Sequence, residues 1–347
     1  MTQLRSSPIH PRSRWRGTGC VLVVIALALT GCYRLPPDRR AQADQLTGRI
    51  RDMPGVVAAS SDLANSFAQG NVHLWLSVQV AEDITADQLA AITARYLDDL
   101  RAVDYPGYQT ELDIRRGWNL FAIDSGQHPV TNADQVIAQA RDWVALRHEF
   151  PSATVSLRAT ITHPADAPVD ADRAHPALGA IELPEPADYI AVTAAVTALG
   201  AQFPQLASGG WTISASKAHP ADITTSQRLP TSQELGVWNT VNADQTIPHI
   251  DAMTINAPLT PPVWMSEKTV SHDPAIATAL ADKHLPIVAT LPAPLFYTAT
   301  DQLQAHRNYS GRTTAPVAIT TGGCTPRDYR PDPTEQSLIN IYETCRR

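Results

Sequence analysis

Two hydrophobic periods alternate along most of this chain. Apolar residues recur at helical spacing in Leu46 and Ile50, in Leu89, Ile92, Tyr96, Leu100 and Val103, in Val136, Ala140, Trp143 and Val144, and in Tyr189, Val192, Val196 and Leu199. Each stripe gives a helix one buried side. Each is followed by a bulky apolar residue and proline: Met53-Pro54, Tyr105-Pro106, Phe150-Pro151 and Phe203-Pro204. Proline and its predecessor resist helical geometry, so these pairs end the helices. The prolines fall 52, 45 and 53 residues apart, the mark of a repeated unit. A weaker fifth case is Ile276 and Leu280 before Leu285-Pro286.

Between the helices the period falls to two. Val72, Leu74, Leu76, Val78 and Val80 alternate with His73, Trp75, Ser77 and Gln79. The same alternation runs through 108–115, 154–161 and Trp211, Ile213 and Ala215. Strands with one polar face belong to sheets covered on one side, which disfavours a doubly wound parallel fold. Over residues 72–162 the order is strand, helix, strand, a turn near Gly117, strand (Leu120 to Ile123), helix, strand. That order is similar to the ferredoxin-like split βαβ, and by topology alone to BON-type envelope modules. The expected class is α+β: tandem ferredoxin-like two-layer sandwiches with one-sided, mainly antiparallel sheets. Residues 39–220 form the N-terminal region, with the module at about 72–162. Residues 221–347 form a second α/β module, with strands near Ala252–Ala257, Leu295–Thr298 and Val317–Thr320 and helices near 274–284 and 333–345. Pro-rich polar stretches at 163–176 and 217–232 read as surface connections.

The N-terminus carries an address. Arg5, Arg12, Arg14 and Arg16 precede the apolar run 20–29, and no acid occurs before residue 32. The run is shorter than the roughly 20 residues that span a bilayer, which fits a secretory signal over 1–31. Leu29-Thr30-Gly31-Cys32 resembles the lipobox of bacterial lipoproteins. The resemblance implies that Cys32 receives diacylglycerol and palmitate and becomes the mature N-terminus, on the extracytoplasmic face of the cell membrane. Residues 32–38 are then a lipidated tether. Arginine outnumbering lysine, with abundant alanine, suits a GC-rich, actinobacterial host. With Cys20 removed and Cys32 lipidated, Cys324 and Cys345 remain, and two cysteines in an exported domain pair. The disulfide would pin a last helix with an apolar face of Leu338, Ile341, Tyr342 and Cys345.

Charge and motifs narrow the function by exclusion. The net charge of −7 becomes −11 once four arginines leave with the signal, giving 23 bases against 34 acids. No nucleic-acid partner is expected of such a chain. There is no phosphate loop, nucleophile elbow, H-E-x-x-H or C-x-x-C, so no catalytic residue, metal or cofactor is assigned. His148-Glu149 is cut off by Phe150-Pro151 before a second histidine can align. Asp166, Asp170 and Asp172 lack the central Gly and closing Glu of a calcium loop. Asp98-Asp99 reads as a helix's polar side, and His128, His163, His175 and His219, each before proline, as loop residues. One polar face stands out: His73, Trp75 and Gln79, where an outward tryptophan marks a contact patch or the cover of a neighbouring module. The expectation is a non-catalytic, lipid-anchored interaction or scaffold protein, with the membrane and an envelope protein as partners. The alternatives are a carrier of lipid or another apolar ligand, and an envelope hydrolase with a triad assembled only in space.

Overall fold

The computed structural model describes residues 37–66, 71–103, 105, 108–126, 133–159, 178–256, 261–301, 306–307, 313–327 and 329–345. The lipobox with Cys32, most of the tether, the 163–176 connection with its three aspartates, and His128 lie outside the described residues.

Among the described residues, seven α-helices and fourteen strands follow one another with great regularity. They are α1 (Arg40–Arg51), β1 (Val56–Ser66), β2 (Asn71–Val80), α2 (Ala86–Val103), β3 (Tyr108–Arg116), β4 (Asn119–Gly126), α3 (Ala133–Glu149), β5 (Thr154–Ala159), β6 (Leu178–Glu182) and α4 (Tyr189–Gln202). Then come β7 (Gly210–Ser214), β8 (Ala221–Thr225), α5 (Ser232–Ala243), β9 (His249–Ile255), β10 (Val263–Thr269), α6 (Pro274–Val288) and β11 (Leu295–Thr300). The two-residue β12 (His306–Arg307) and β13 (Thr313–Thr314), β14 (Val317–Thr321) and α7 (Pro333–Tyr342) end the chain. The repeated unit is therefore a helix followed by two strands.

Twelve of the strands make one mixed sheet whose spatial order is the sequence order, β1 to β11 and then β14. Six antiparallel pairs alternate with five parallel pairs, each parallel pair bridged by a helix. This corrects the ferredoxin-like, mainly antiparallel expectation. A split βαβ leaves a gap between its parallel strands for a later strand to fill. Here β2 and β3 are hydrogen-bonded directly, Val72 opposite Tyr108 and Leu76 opposite Leu112. The other flank of β2 is taken by β1, Leu63 opposite Leu74. With both flanks of β2 filled, the β3–β4 hairpin turns outward and the sheet extends one way. Gly117 makes that turn at φ +57°, a conformation that favours glycine. The sheet runs without a break through residue 220, where β7 pairs with β8 and β8 with β9.

The one-sided sheet of the sequence reading is present for most of its width. All seven helices contribute to one core with the same sheet face, from Leu46 and Ile50 through Trp143, Val196, Trp238 and Leu285 to Leu338. The opposite face carries Trp75, Glu111, Ser156, Arg158 and Thr212, none of them buried. Beside β14 that face acquires apolar cover, where Phe296, Ala315 and Ala318 cluster against Trp264.

Several local expectations change. The stretch 217–232 is not merely a connection: β8 lies inside it, with Ala221, Ile223 and Thr225 buried in alternation. Pro286 does not stop α6, which runs to Val288; in the last turn a missing N–H removes one bond and no more. Asp99 is buried and paired with Arg49 at 2.8 Å, so it is not on a polar helix side. The buried stripe of α7 is Glu335 and Leu338, with Ile341 left 67% exposed. Gly179 on β6 lies under the Trp211 indole of β7, where an added Cβ would come within 2.2 Å of the ring.

Candidate functional site

A cluster of buried ionisable side chains lies inside the core, between β9, β10, β11 and α6. It begins with the alternation of β9, which points His249, Asp251, Met253 and Ile255 toward the helices. On β10, Glu267 stands directly opposite Asp251 and Thr269 opposite His249. Tyr297 reaches in from β11, and His284 comes down from the buried side of α6. The side chains of His249, Asp251, Glu267 and His284 are fully buried.

The contacts are specific. His284 Nδ1 lies 2.8 Å from Glu267 Oε1, and the Tyr297 hydroxyl donates to Glu267 Oε2 at 2.5 Å. His249 Nδ1 lies 2.6 Å from the Ile247 carbonyl, while its Nε2 is 3.2 Å from Asp251 Oδ2. The two imidazoles meet edge to face with centroids 5.1 Å apart. At the outer end Asp244 Oδ2 sits 3.5 Å from His284 Nε2 and 2.5 Å from Lys283 Nζ. Despite these contacts, His249 Nε2, His284 Nε2 and both Asp251 oxygens make no well-aligned hydrogen bond. Buried polar atoms left in that state are uncommon and costly.

Burial and charge pull the titrations apart. Burial drives the Glu267 carboxyl upward, and the neighbouring Asp251 charge adds to the effect against the pull of His284. Burial also carries the Tyr297 phenol well above its usual range, with Glu267 contributing. Burial alone would lower His249, but Asp251 close by outweighs it and lifts the imidazole to about 9. His284 is raised in the same way, its burial outweighed by Glu267. Asp244, at the solvent side, is held well below the usual carboxylate range by Lys283 and Thr246.

A cleft lies next to the buried cluster. About 280 Å³ in volume, it opens between the start of α4, the β7–β8 turn and the end of α5, with Asp188, His219, Asn242 and Gln245 on its walls and His249 in its lining. Comparison with protein-family models, curated proteins and solved structures finds no match. The site therefore has to be read from its own chemistry. Two imidazoles, two carboxylates and a phenol can hold a cation or share protons. No serine or cysteine side chain belongs to it among the described residues, and the Thr269 hydroxyl is turned to the Ser271 and Thr300 carbonyls.

The residues singled out from sequence lie elsewhere. Trp75 is 40% exposed on the bare face of β2, its Nε1 donating to Glu111 and its ring stacked on His73 at 5.3 Å. Gln79 is exposed farther along the same face. Trp118, which the sequence reading passed over, is 88% exposed at the tip of the β3–β4 hairpin. Cys324 and Cys345 are joined in a disulfide across 21 residues.

Beside that disulfide lies a second polar assembly that closes the sheet. Glu335 Oε1 accepts from the Ala318 N–H at 3.3 Å and Glu343 Oε1 from the Thr320 N–H at 3.0 Å. Arg327 bridges the two carboxylates, 3.3 Å from Glu335 and 2.8 Å from Glu343, and donates to the Ala318 carbonyl. Side chains thus take the place of a thirteenth strand along β14. An unpaired edge is a template for pairing with other chains, and this one is blocked.

Proposed function

We propose that the protein is a lipid-anchored, extracytoplasmic binding protein that acts without turnover, through the bare face of its sheet. The observation that carries this reading is the placement of all seven helices on one side of a twelve-stranded sheet. The other side is a broad, mostly polar surface on which Trp75 stands exposed. An exposed aromatic ringed by polar groups has the makeup of a contact hot spot. The anchoring part rests on the lipobox-like Leu29-Thr30-Gly31-Cys32. Its geometry is favourable: the Tyr108 hydroxyl donates to the Pro37 carbonyl at 2.8 Å, fastening the chain five residues after Cys32. Five residues extend at most about 18 Å, so the N-terminal end of β3 would ride close to the bilayer. No described helix is long and apolar enough to cross a membrane.

A second reading has one observation in its favour. A groove of about 390 Å³ on the bare face is lined by Leu120, Ala122, Leu178 and Ala180 with Arg158 at its side. That size suits a small apolar ligand, although the groove is open and a carrier needs an enclosed chamber.

The test uses crosslinking in intact cells. The wild type should crosslink to an envelope protein, and Trp75→Ala should lose that adduct while unfolding at an unchanged temperature. Cys32→Ala should move the folded protein from the membrane to the soluble fraction. Tight membrane association of Cys32→Ala would place the anchor elsewhere. A crosslinking pattern indifferent to Trp75 would remove the bare face from the reading.

A further inference from the structure

We propose that His249 and His284 bind a divalent first-row transition metal through their Nε2 atoms, with the Asp251 carboxylate as a further ligand and Glu267 orienting His284. The inference goes beyond the binding reading above and does not depend on it.

The argument starts from the buried atoms that lack a well-aligned hydrogen bond. In each histidine the Nδ1 side is occupied by an oxygen acceptor, the Ile247 carbonyl for His249 and Glu267 for His284. A metal-bound imidazole is held in this way, its second nitrogen donating to a carbonyl or carboxylate that fixes the tautomer. The Nε2 atoms left over face carboxylates, Asp251 at 3.2 Å and Asp244 at 3.5 Å, yet neither they nor the two oxygens of Asp251 make a well-aligned hydrogen bond. All four atoms belong to fully buried side chains. A ring nitrogen of each histidine and an oxygen of Glu267 lie mutually within 4.8 Å. Asp251 is 3.2 Å from His249 Nε2, close to the ligand–ligand spacing around a zinc-sized ion.

The chemistry selects the class of ion. Two neutral imidazoles and a carboxylate suit zinc and its first-row neighbours, whereas calcium and magnesium ask for oxygen donors throughout. Three donors leave a fourth position for water or for the partly exposed Asp244, whose Oδ2 is 3.5 Å from His284 Nε2. The cleft that His249 lines runs next to the donors, so a small local movement would admit an ion. Ligation needs both imidazoles free of a proton at Nε2, so loading releases protons. His249 and Asp251 share β9, whereas Glu267 stands on β10 and His284 on α6, so the cluster assembles only in the fold.

The experiment takes the full chain in detergent, strips it with a chelator and titrates it with Zn²⁺. The expected result is one equivalent per chain. His249→Gln and His284→Gln should each weaken binding by at least about 100-fold, and Glu267→Gln by roughly 10- to 100-fold as an orienting residue. Should a variant fail to fold, the wild type decides alone: with Cu²⁺, pulsed electron paramagnetic resonance should count two coordinated imidazoles, and Co²⁺ should give a visible spectrum without thiolate charge transfer. No uptake at millimolar Zn²⁺ would overturn the proposal. So would fewer than two imidazoles on Cu²⁺, or uptake undiminished in a folded His249→Gln/His284→Gln variant.

Discussion

Replacing Arg327 by methionine isolates what the charged assembly on β14 contributes. The guanidinium is nearly buried, and so are the Glu335 and Glu343 carboxylates it joins. It meets Glu343 twice, NH2 to Oε1 at 2.8 Å and NH1 to Oε2 at 3.1 Å, and donates to the Thr325 carbonyl at 3.0 Å. Methionine keeps the length and apolar stem but leaves two carboxylates facing each other with no cation. Breaking a buried pair from one side costs about 3–5 kcal/mol, because the remaining charge is stranded. Burial already pushes the Glu335 carboxyl upward, against the pull of Tyr329 and Arg327, so this residue can escape part of the penalty by taking a proton. Its folded pKa is raised, so its contribution is present below the unfolded value of about 4.3 and fades as pH rises through the folded value. Arg327→Met should therefore lose several kcal/mol at neutral pH and less in mild acid. Glu335→Gln, which keeps an acceptor for Ala318 N–H and removes the charge, should stay within about 1 kcal/mol of wild type. Equilibrium urea unfolding at both pH values reads all three. A loss below about 1 kcal/mol for Arg327→Met at neutral pH would show that the assembly is solvated and that the edge is held by other bonds.

Two further outcomes follow from single contacts. Gly179→Ala puts a methyl against the Trp211 ring, whose Nε1 is tied to the Leu206 carbonyl at 2.9 Å, so overpacking should cost about 1–3 kcal/mol in thermal or urea unfolding; a neutral result would mean that the indole swings freely. At the start of α5, burial would raise Glu234, but paired bonds from Arg228 at 2.7 and 2.8 Å and the Thr231 capping box hold its carboxyl below the usual range. Its stabilisation is present above the unfolded pKa of about 4.3 and lost as pH falls through the folded value, so Glu234→Gln should flatten part of the acid limb of stability against pH.

How much of this was legible in the sequence depends on which residues mark an element. Val72 to Val80 and Thr154 to Ala159 alternate strongly, and both are strands where the pattern puts them. The strand β1, Val-Val-Ala-Ala-Ser-Ser-Asp-Leu-Ala-Asn-Ser, is weak because small residues carry little periodic signal. Missing it left a flank of β2 open on paper, and the familiar interleaved topology filled the gap. β8 was hidden for another reason: Ala221 to Thr225 has a single large apolar residue and sits among prolines and serines. The disulfide followed from compartment and count, whereas the glutamates and arginine that close β14 come together only in space. The buried histidines did leave a trace. His249 and Asp251 fall in phase with Met253 and Ile255, and Glu267 with Val263 and Met265. A polar residue in phase with the apolar face of a strand is either at the strand's end or inside the core with a task.

The sheet itself supplies the control for judging that task. In the flanking strands the same row is apolar and buried: Ala221 lies opposite Asp251, Ala299 opposite Glu267 and Val317 opposite Ala299. The fold thus has an apolar solution for this position and uses it elsewhere in the same molecule. At β9 and β10 it sets two carboxylates side by side, Asp251 opposite Glu267, without direct solvent. Like charges directly across an antiparallel pair are destabilising, and burial multiplies the effect. Apolar residues of similar volume would remove that cost, since replacing buried ionic groups in this way is often neutral or favourable. A requirement of the sheet cannot account for the departure, because the flanking strands build the same row without it. Positive charge held between the carboxylates does account for it, and the two imidazoles stand where such charge is needed.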